Sequence, residues 1–449
     1  MRERITVSRA APTGAGIAEL NRMRVFVPGA LPGDTVLADI DPPPKGARSA
    51  VARVVEILES RWRTSEICPA LEAGCGGCPL GRLSYEGQKA VKTALLTDAL
   101  AEAGVSAPEP EPLIGADETL TVFRNKAVLY PLRDEDGWHF GMYAAGTHRV
   151  VPRAARCPQV RGWMHEAAEA VASSLDGSSL RPYDESDGTG DVRTLLLREG
   201  RNGAERLVTL TVREAGEAVM SAVRRTADVL AGLAVTSFSV SIHPSPGNAV
   251  LGREFRLIAG AESIATDIGG LQFSVRPETF LQVNTPQTAK LYDKALEWAA
   301  PAPGEVFLDL YCGVGTMTLL GARRASKAVG VDIVGASIER ARRNAEANGI
   351  ANADFYAGAV EAVLPGLIAG GLRPDTAILD PAFKGLDDTV PALISSLALK
   401  RLVYVSCNPK TFARDAARLI ALGWRLERLV PVDLFPGALH VETVGRFVR

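Results

Sequence analysis

The sequence predicts an α/β chain with a small β-barrel in front, a mixed central region and a helix-covered parallel sheet behind. Three observations carry that prediction. Residues 1–60 alternate apolar and polar positions in short runs punctuated by Gly and Pro, as in "RVFVPGALPGDTVLADI", a pattern that suits a small barrel. From about 276 onward, the apolar runs "EVFLDLY", "KAVGVDI", "DTAILD" and "RLVYVS" alternate with amphipathic stretches, the rhythm of a parallel sheet covered on both faces. Between them, hairpin-like runs such as "FRNKAVLYPLRDEDGWHFGMY" and "DVRTLLLREGRNGAERLVTLTV" mix with helical patterns, so an antiparallel α+β region is expected.

The elements follow in order. A barrel is expected over 1–62, built on "ITVSRA", "RVFVPGALPGDTVLADI" and "SAVARVVEILES"; a central domain over 63–275, holding a cysteine cluster; and the parallel-sheet domain over 276–449. A chain of 449 residues has room for two or three such units. "SYEGQKAVKTALLTDALAEAG" reads as a helix with Gly104 as its stop, and the acidic, proline-containing "VSAPEPEPLIGADE" as a linker or surface loop. The net charge of −2 provides no global basic field, so any nucleic-acid contact must come from a local patch. The first residues lack the apolar core of a secretion signal, and no apolar stretch reaches the ~18 residues that span a bilayer. A cytoplasmic chain with reduced thiols and no membrane partner is expected, so its six cysteines need a reading other than disulfides.

Chemistry concentrates at the ends of the C-terminal strands, the edge of an open α/β sheet where ligands bind. "EVFLDLYCGVGTMTLL" runs a buried strand into a glycine turn and a helix; Gly313 and Gly315 permit close approach to the backbone. Asp332, 17 residues beyond Gly315, ends the next strand where it can bind ribose hydroxyls. A dinucleotide site asks for a third glycine, yet position 318 is Thr. Asp380-Pro381 ends another strand, although such a dipeptide is often only a turn. In "YVSCNP", Cys407 precedes a helical pattern beginning near Pro409, and a helix N-terminus lowers a thiol's pKa. Most single cysteines are inert core residues, the reading given to Cys312. In "PGALHVETVGRF", Glu442 and His440 lie amid apolar residues; a Glu there is ordinarily solvent-facing, but beside a nucleophilic Cys407 it can act as general base.

The remaining cysteines read Cys68-x6-Cys75-x2-Cys78, with Cys157 in "ARCPQV" 79 positions after Cys78. Zinc and an iron–sulfur cluster both take four thiolates. The long gap to the fourth cysteine is unlike a compact zinc ribbon.

Taken in order, "FLQVN" (280–284), "DLYCGVGT" (309–316), "DPAFKG" (380–385), "VSCNP" (405–409) and "HVETV" (440–444) resemble the successive motifs of the RNA uracil-5-methyltransferase family. The likeness covers nearly the whole chain, with few diagnostic residues in 160–270. The N-terminal region resembles a TRAM domain, an RNA-binding barrel of OB type, with "VPGALPGDTV" (27–36) its clearest piece. The resemblance implies a Rossmann-like S-adenosylmethionine-dependent methyltransferase domain forming 5-methyluridine. It implies Cys407 as a nucleophile adding to uracil carbon 6, and Glu442 as the base that later removes the carbon-5 proton. Gln282, Asp309, Tyr311, Gly313, Gly315 and Asp332 would hold S-adenosylmethionine, with Asp380 lining the pocket between cofactor and uracil. Cys68, Cys75, Cys78 and Cys157 resemble the family's [4Fe–4S] ligands, with one spacing a residue longer than is common. The target base must be extruded from any stack or already single-stranded.

One position departs from the pattern. Where the family carries D-P-P-R or D-P-A-R, this chain has Phe383 in place of the arginine, which puts any arginine-dependent step in base placement in doubt. RNA contacts are expected at Arg22, Arg24, Arg124, Asn125 and Lys126. A TRAM-like barrel together with the cysteine cluster points to 23S ribosomal RNA ahead of transfer RNA, with the protein acting as a monomer. Two rivals stand beside this reading: an RNA-binding homologue with weak catalysis owing to Phe383, and a methyltransferase acting on nitrogen through Asp380-Pro381, which leaves Cys407 and Glu442 without a task.

Overall fold

A computed structural model of the 449-residue chain describes all residues except 12, 42–46, 66–67 and 118–121, along with the side chain of Arg153. Alternating apolar residues close the N-terminal strands into a five-stranded barrel, ordered Arg2–Ala10, Gly16–Leu20, Met23–Val27, Ser49–Ser60 and Asp34–Ile40. Its interior is Ile5, Val7, Val25, Val27, Val36 and Ala38. The Pro-Gly-Asp turn has a physical reason. Asp34 is fully buried and accepts from Leu31 N at 2.8 Å, Ser60 Oγ at 2.7 Å and the Arg63 guanidinium at 2.8 Å. A buried carboxylate persists only when paired in this way.

The central region forms a seven-stranded sheet. Most of its pairs are antiparallel, as the hairpin patterns predict. The exception is Leu207–Val212 beside Ser237–Ile242, which pair in parallel. Helix Glu217–Ala231 makes the crossover between them. Both strands are buried, yet "LVTLTV" and "SFSVSI" alternate apolar residues with Thr or Ser, a pattern that reads as antiparallel.

The C-terminal sheet is ordered Ala353–Ala357, Lys327–Asp332, Val306–Leu310, Thr376–Leu379, Arg401–Ser406, Glu442–Val448, Arg425–Val432. The first five strands are parallel, and Glu442–Val448 enters antiparallel to both of its neighbours. Its core is apolar on both faces, with Phe307, Leu308, Leu310, Val331, Leu379 and Tyr404 fully buried.

The helix Tyr85–Glu102 starts on a Ser84 cap that accepts from Gly87 N, and Gly104 takes a positive φ just past its end. Leu96, Ala99 and Leu100 from this helix sit in the same core as Leu308 and Phe412, so it packs on the C-terminal sheet. The following acidic segment runs along the sheet's edge strand instead of hanging free. Glu111 N donates to Leu429 O, Ile114 N donates to Pro431 O, and Arg428 pairs with Glu111. Among the described residues, no helix is long and apolar enough to cross a membrane.

Candidate active site

The order of the C-terminal sheet brings four site-like strand ends to one edge. In strand Val306–Leu310, Asp309 is fully buried, and its Oδ2 accepts from Thr318 Oγ1 at 2.5 Å. Its Oδ1 has no protein partner, and burial holds the carboxyl up at about 7. Tyr311, Gly313 and Gly315 then adopt positive φ of 69°, 53° and 84°. At Gly315 glycine is required, because a Cβ would lie 2.9 Å from the Phe355 ring and 3.0 Å from Ala341 Cβ. Asp332, at the end of the next strand, staples this turn. Its Oδ2 accepts from Gly313 N at 2.9 Å and its Oδ1 from Val334 N at 2.8 Å.

Gln282 lies half-buried in the loop leading to helix Thr285–Ala299. Arg198, 2% exposed, fixes that loop by donating to Thr279 O at 2.6 Å and Leu281 O at 3.1 Å. Burial brings its guanidinium down to about 10, so it remains a cation at neutral pH. Asn125 supplies the second tie, donating from Nδ2 to Gln282 O at 3.0 Å and to Thr285 Oγ1 at 2.9 Å.

Cys407 follows strand Arg401–Ser406, and Ser406 pairs with Thr443 of the antiparallel neighbour. One further step in that register sets Cys407 opposite Glu442. Asn408 caps the next helix, Pro409–Ala421, and accepts from Lys410 N at 3.1 Å. The expected lowering of the thiol by this helix end is overturned. Burial, then the Glu442 and Asp380 carboxylates, push Cys407 up to about 12. Two nearby negative groups and desolvation outweigh one helix terminus, worth only about 0.3–1 kcal/mol at an exposed site. Glu442 is 2% exposed, and burial raises it to about 7 against a smaller lowering by Lys92. Burial and the Glu442 charge hold Asp380 well above the ordinary carboxylate range. The buried Tyr292 phenol is pushed up by burial, then by the charges of Asp380, Asp309 and Glu442. Arg198, Thr318 and Tyr292 complete the site without any signal in the sequence to single them out.

Phe383 stands at the mouth, 58% exposed, with its carbonyl accepting from Asn408 Nδ2 at 3.1 Å. Its ring meets His440 edge-on, with centroids 6.3 Å apart. Cys312 is buried, as read from the sequence.

The expected RNA contacts divide. Arg22 and Arg24 are exposed on the barrel. Arg124, Asn125 and Lys126 turn inward instead. Arg124 Nε donates to Gln159 Oε1 at 2.9 Å, Asn125 is spent on the Gln282 loop, and burial beside Arg198 lowers Lys126 to about 8. A side chain committed to fixing a loop has little left for a phosphate.

Cys68, Cys75, Cys78 and Cys157 are free, half-buried thiols lining one cavity of about 630 Å³. Burial and then the charge of Cys157, with smaller contributions from Cys75 and Cys68, raise Cys78 to about 11. Among the described residues, no three His, Cys, Asp or Glu side chains come together as a site for one metal ion. A cluster binds each thiolate at a separate iron, so the donor type, four cysteines on one cavity, is the kind such a cluster takes.

A model of the tRNA (uracil-5-)-methyltransferase family matches residues 262–448. An uncharacterized RNA methyltransferase of Halalkalibacterium halodurans is 34% identical, over 98% of this chain and 95% of that protein. One from Bacillus cereus is 33% identical, over 96% of this chain and 93% of that protein. Among solved structures, the tRNA (uracil-54, C5)-methyltransferase of Pyrococcus abyssi in complex with S-adenosyl-L-homocysteine superposes with a TM-score of 0.76 at 25% identity. That match covers 99% of this chain and 100% of the archaeal one. Full-length identity above 30%, the matched C-terminal region and the shared fold agree, and this chain belongs to the RNA (uracil-5-)-methyltransferase family of enzymes.

Proposed function

We propose that the protein uses S-adenosylmethionine to convert uridine to 5-methyluridine in RNA, in 23S ribosomal RNA ahead of transfer RNA. The observation that carries the mechanism is the meeting of Cys407 and Glu442 across adjacent strands at the edge that also holds Asp309, Asp332 and Asp380. Uracil carbon 5 is too weak a nucleophile by itself. Cys407 gives its proton to solvent as Sγ forms a bond to carbon 6, and the C5=C6 electron pair shifts toward the C4 oxygen, making an enolate that is nucleophilic at carbon 5. Asp380, whose carboxyl is raised by burial and by the Glu442 charge, can donate to a ring oxygen when it carries its proton, as that negative charge develops. S-adenosylmethionine, when bound, would supply the electrophilic methyl group that carbon 5 takes, leaving as S-adenosylhomocysteine. Glu442 then takes the carbon-5 proton, the S–C6 bond breaks, and the electron pair returns to sulfur. A base near 7 is suited to that proton at neutral pH.

Gln282, Asp309, Tyr311, Gly313, Gly315 and Asp332 hold the cofactor in this reading, with the unpartnered Asp309 Oδ1 available to it. Cys68, Cys75, Cys78 and Cys157 hold a [4Fe–4S] cluster that fastens the segments around them. Arg22 and Arg24 on the TRAM-like barrel reach RNA phosphates. Ribosomal RNA is favoured by the combination of barrel and cysteine cavity. Transfer RNA is the second reading, supported by the transfer-RNA substrate of the Pyrococcus protein.

Incubation with labelled S-adenosylmethionine and uridine-containing RNA is expected to give 5-methyluridine, and C407A to give none. Absence of label at carbon 5, or a C407A variant as active as the parent, overturns the mechanism. Mapping 5-methyluridine in ribosomal and transfer RNA with and without the protein decides the substrate. F383R separates the weak-catalysis rival, which requires turnover to rise sharply once arginine is restored.

A further inference from the structure

Phe383 presents its ring to solvent, 58% exposed, just past the strand end that carries Asp380. Its backbone is pinned at the rim from two sides, its carbonyl accepting from Asn408 Nδ2 at 3.1 Å and Thr411 Oγ1 at 3.4 Å. Asn408 is the residue next to Cys407, so the ring's position is tied to that of the sulfur. His440 meets Phe383 edge-on, with an interplanar angle of 77°, and Phe435 in turn backs His440 with centroids 5.9 Å apart. Three rings therefore brace one another, and the outermost keeps a free face. The exposed Lys384 adjoins it, a positive charge suited to a neighbouring phosphate.

We propose that Phe383, braced by His440, is the platform on which the base flanking the extruded uridine stacks. This rests on the reading that the target ring enters at Cys407. Turning a base out of a strand strips its neighbour of a stacking partner, and an exposed aromatic ring at the pocket rim replaces that partner. Phe383 is exposed while Cys407, next to the Asn408 that holds the Phe383 carbonyl, is half-buried, which suits the ring to the flanking base and not the reacting one. Stacking is tolerant of base identity, so Phe383 contributes affinity and positioning with little sequence preference. An arginine at this site would contribute charge; a phenyl ring contributes a flat apolar face, and its share of binding does not weaken with salt.

The test is a binding cycle on the full-length protein loaded with S-adenosylhomocysteine. The probes are short single-stranded RNAs with one uridine among adenosines, intact or with an abasic ribose on one side of the uridine. F383A is expected to lose about 5- to 150-fold in affinity for intact RNA, the span of one base–aromatic stack. Removing the stacked base from the RNA is expected to cost the parent the same factor, with no further loss in F383A. F383W should restore binding and F383L should not, which separates a π-face from apolar bulk. Equal affinity of parent and F383A for intact RNA, or fully additive losses in the combined case, overturns the proposal. Formation of 5-methyluridine by the parent is scored separately, so failure of the stacking proposal leaves the reaction standing, and failure of the reaction is visible on its own.

Discussion

Glu442 illustrates what a functional group costs a fold. Its carboxyl is held near 7 against an ordinary 4.5, chiefly by burial. An acid with a raised native pKa binds its proton more tightly folded than unfolded. Stability therefore falls as pH climbs from about 4.5 to about 7, and the whole penalty is present above that window. Asp309, also near 7, adds to the loss over the same range. E442Q removes the Glu442 share and is expected to be more stable than the parent at about pH 8, by about 3 kcal/mol. The gain should vanish below about pH 4.5, and urea unfolding at both pH values checks it. The same variant is expected to stall after methyl transfer, because the thiolate cannot leave while the carbon-5 proton stays. A protein–RNA adduct that survives denaturing electrophoresis in E442Q, and is absent in E442Q/C407A, is the expected observation.

Among the elements, the loop carrying Gln282, proposed to face the cofactor, is held by something remote in sequence. Arg198 spans two carbonyls of that loop from the central sheet, a bidentate reach that lysine cannot copy. R198K should raise the KM for S-adenosylmethionine about tenfold, equivalent to ~1.4 kcal/mol, with a smaller effect on kcat. An R198K enzyme whose KM is unchanged would remove Arg198 from this positioning role. The case also marks what a sequence exposes. The glycine turn, the strand-end acids and the cysteine motif were legible because strand, turn and ligand group lie within a few consecutive residues. Arg198 and Lys92 were not, since a buried cation is spelled like any surface charge and only tertiary packing distinguishes them. The parallel pairing of Leu207–Val212 with Ser237–Ile242 was hidden because "LVTLTV" and "SFSVSI" alternate apolar residues with Thr or Ser, the pattern of an antiparallel strand. The raised thiol of Cys407 is hidden from the sequence for a related reason: the helix end is local, whereas the opposing Glu442 and Asp380 arrive from other strands of the sheet.

At the scale of the whole molecule, the segment Asp433–His440 is where the cysteine region and the methyltransferase sheet are joined. Lys92 Nζ, fully buried, meets Asp433 Oδ1 at 2.5 Å and donates to Phe435 O at 2.8 Å. Gln88 Oε1 accepts from Gly437 N at 2.7 Å. Leu80 N donates to Gly437 O at 2.8 Å, and Gln159 donates to Pro436 O at 3.0 Å. Gly437 passes so close to Cys78 that a Cβ there would sit 3.1 Å from its sulfur. This segment feeds directly into Glu442, so the fixity of the proposed base depends on contacts with helix Tyr85–Glu102 and the cysteine loop. Breaking a buried ion pair from one side leaves the other charge stranded, a loss of about 3–5 kcal/mol. K92M is expected to show that loss, to speed hydrogen exchange across 433–442 and to lower kcat by displacing Glu442. K92M/D433L removes both charges and should recover most of the stability, since a matched apolar pair is often as stable as a buried ion pair. Its exchange at 433–442 should still exceed the parent's, because the Phe435 carbonyl has lost its donor. Full recovery of both stability and exchange in the double variant would mean that the pair serves folding alone and does not hold the base in place.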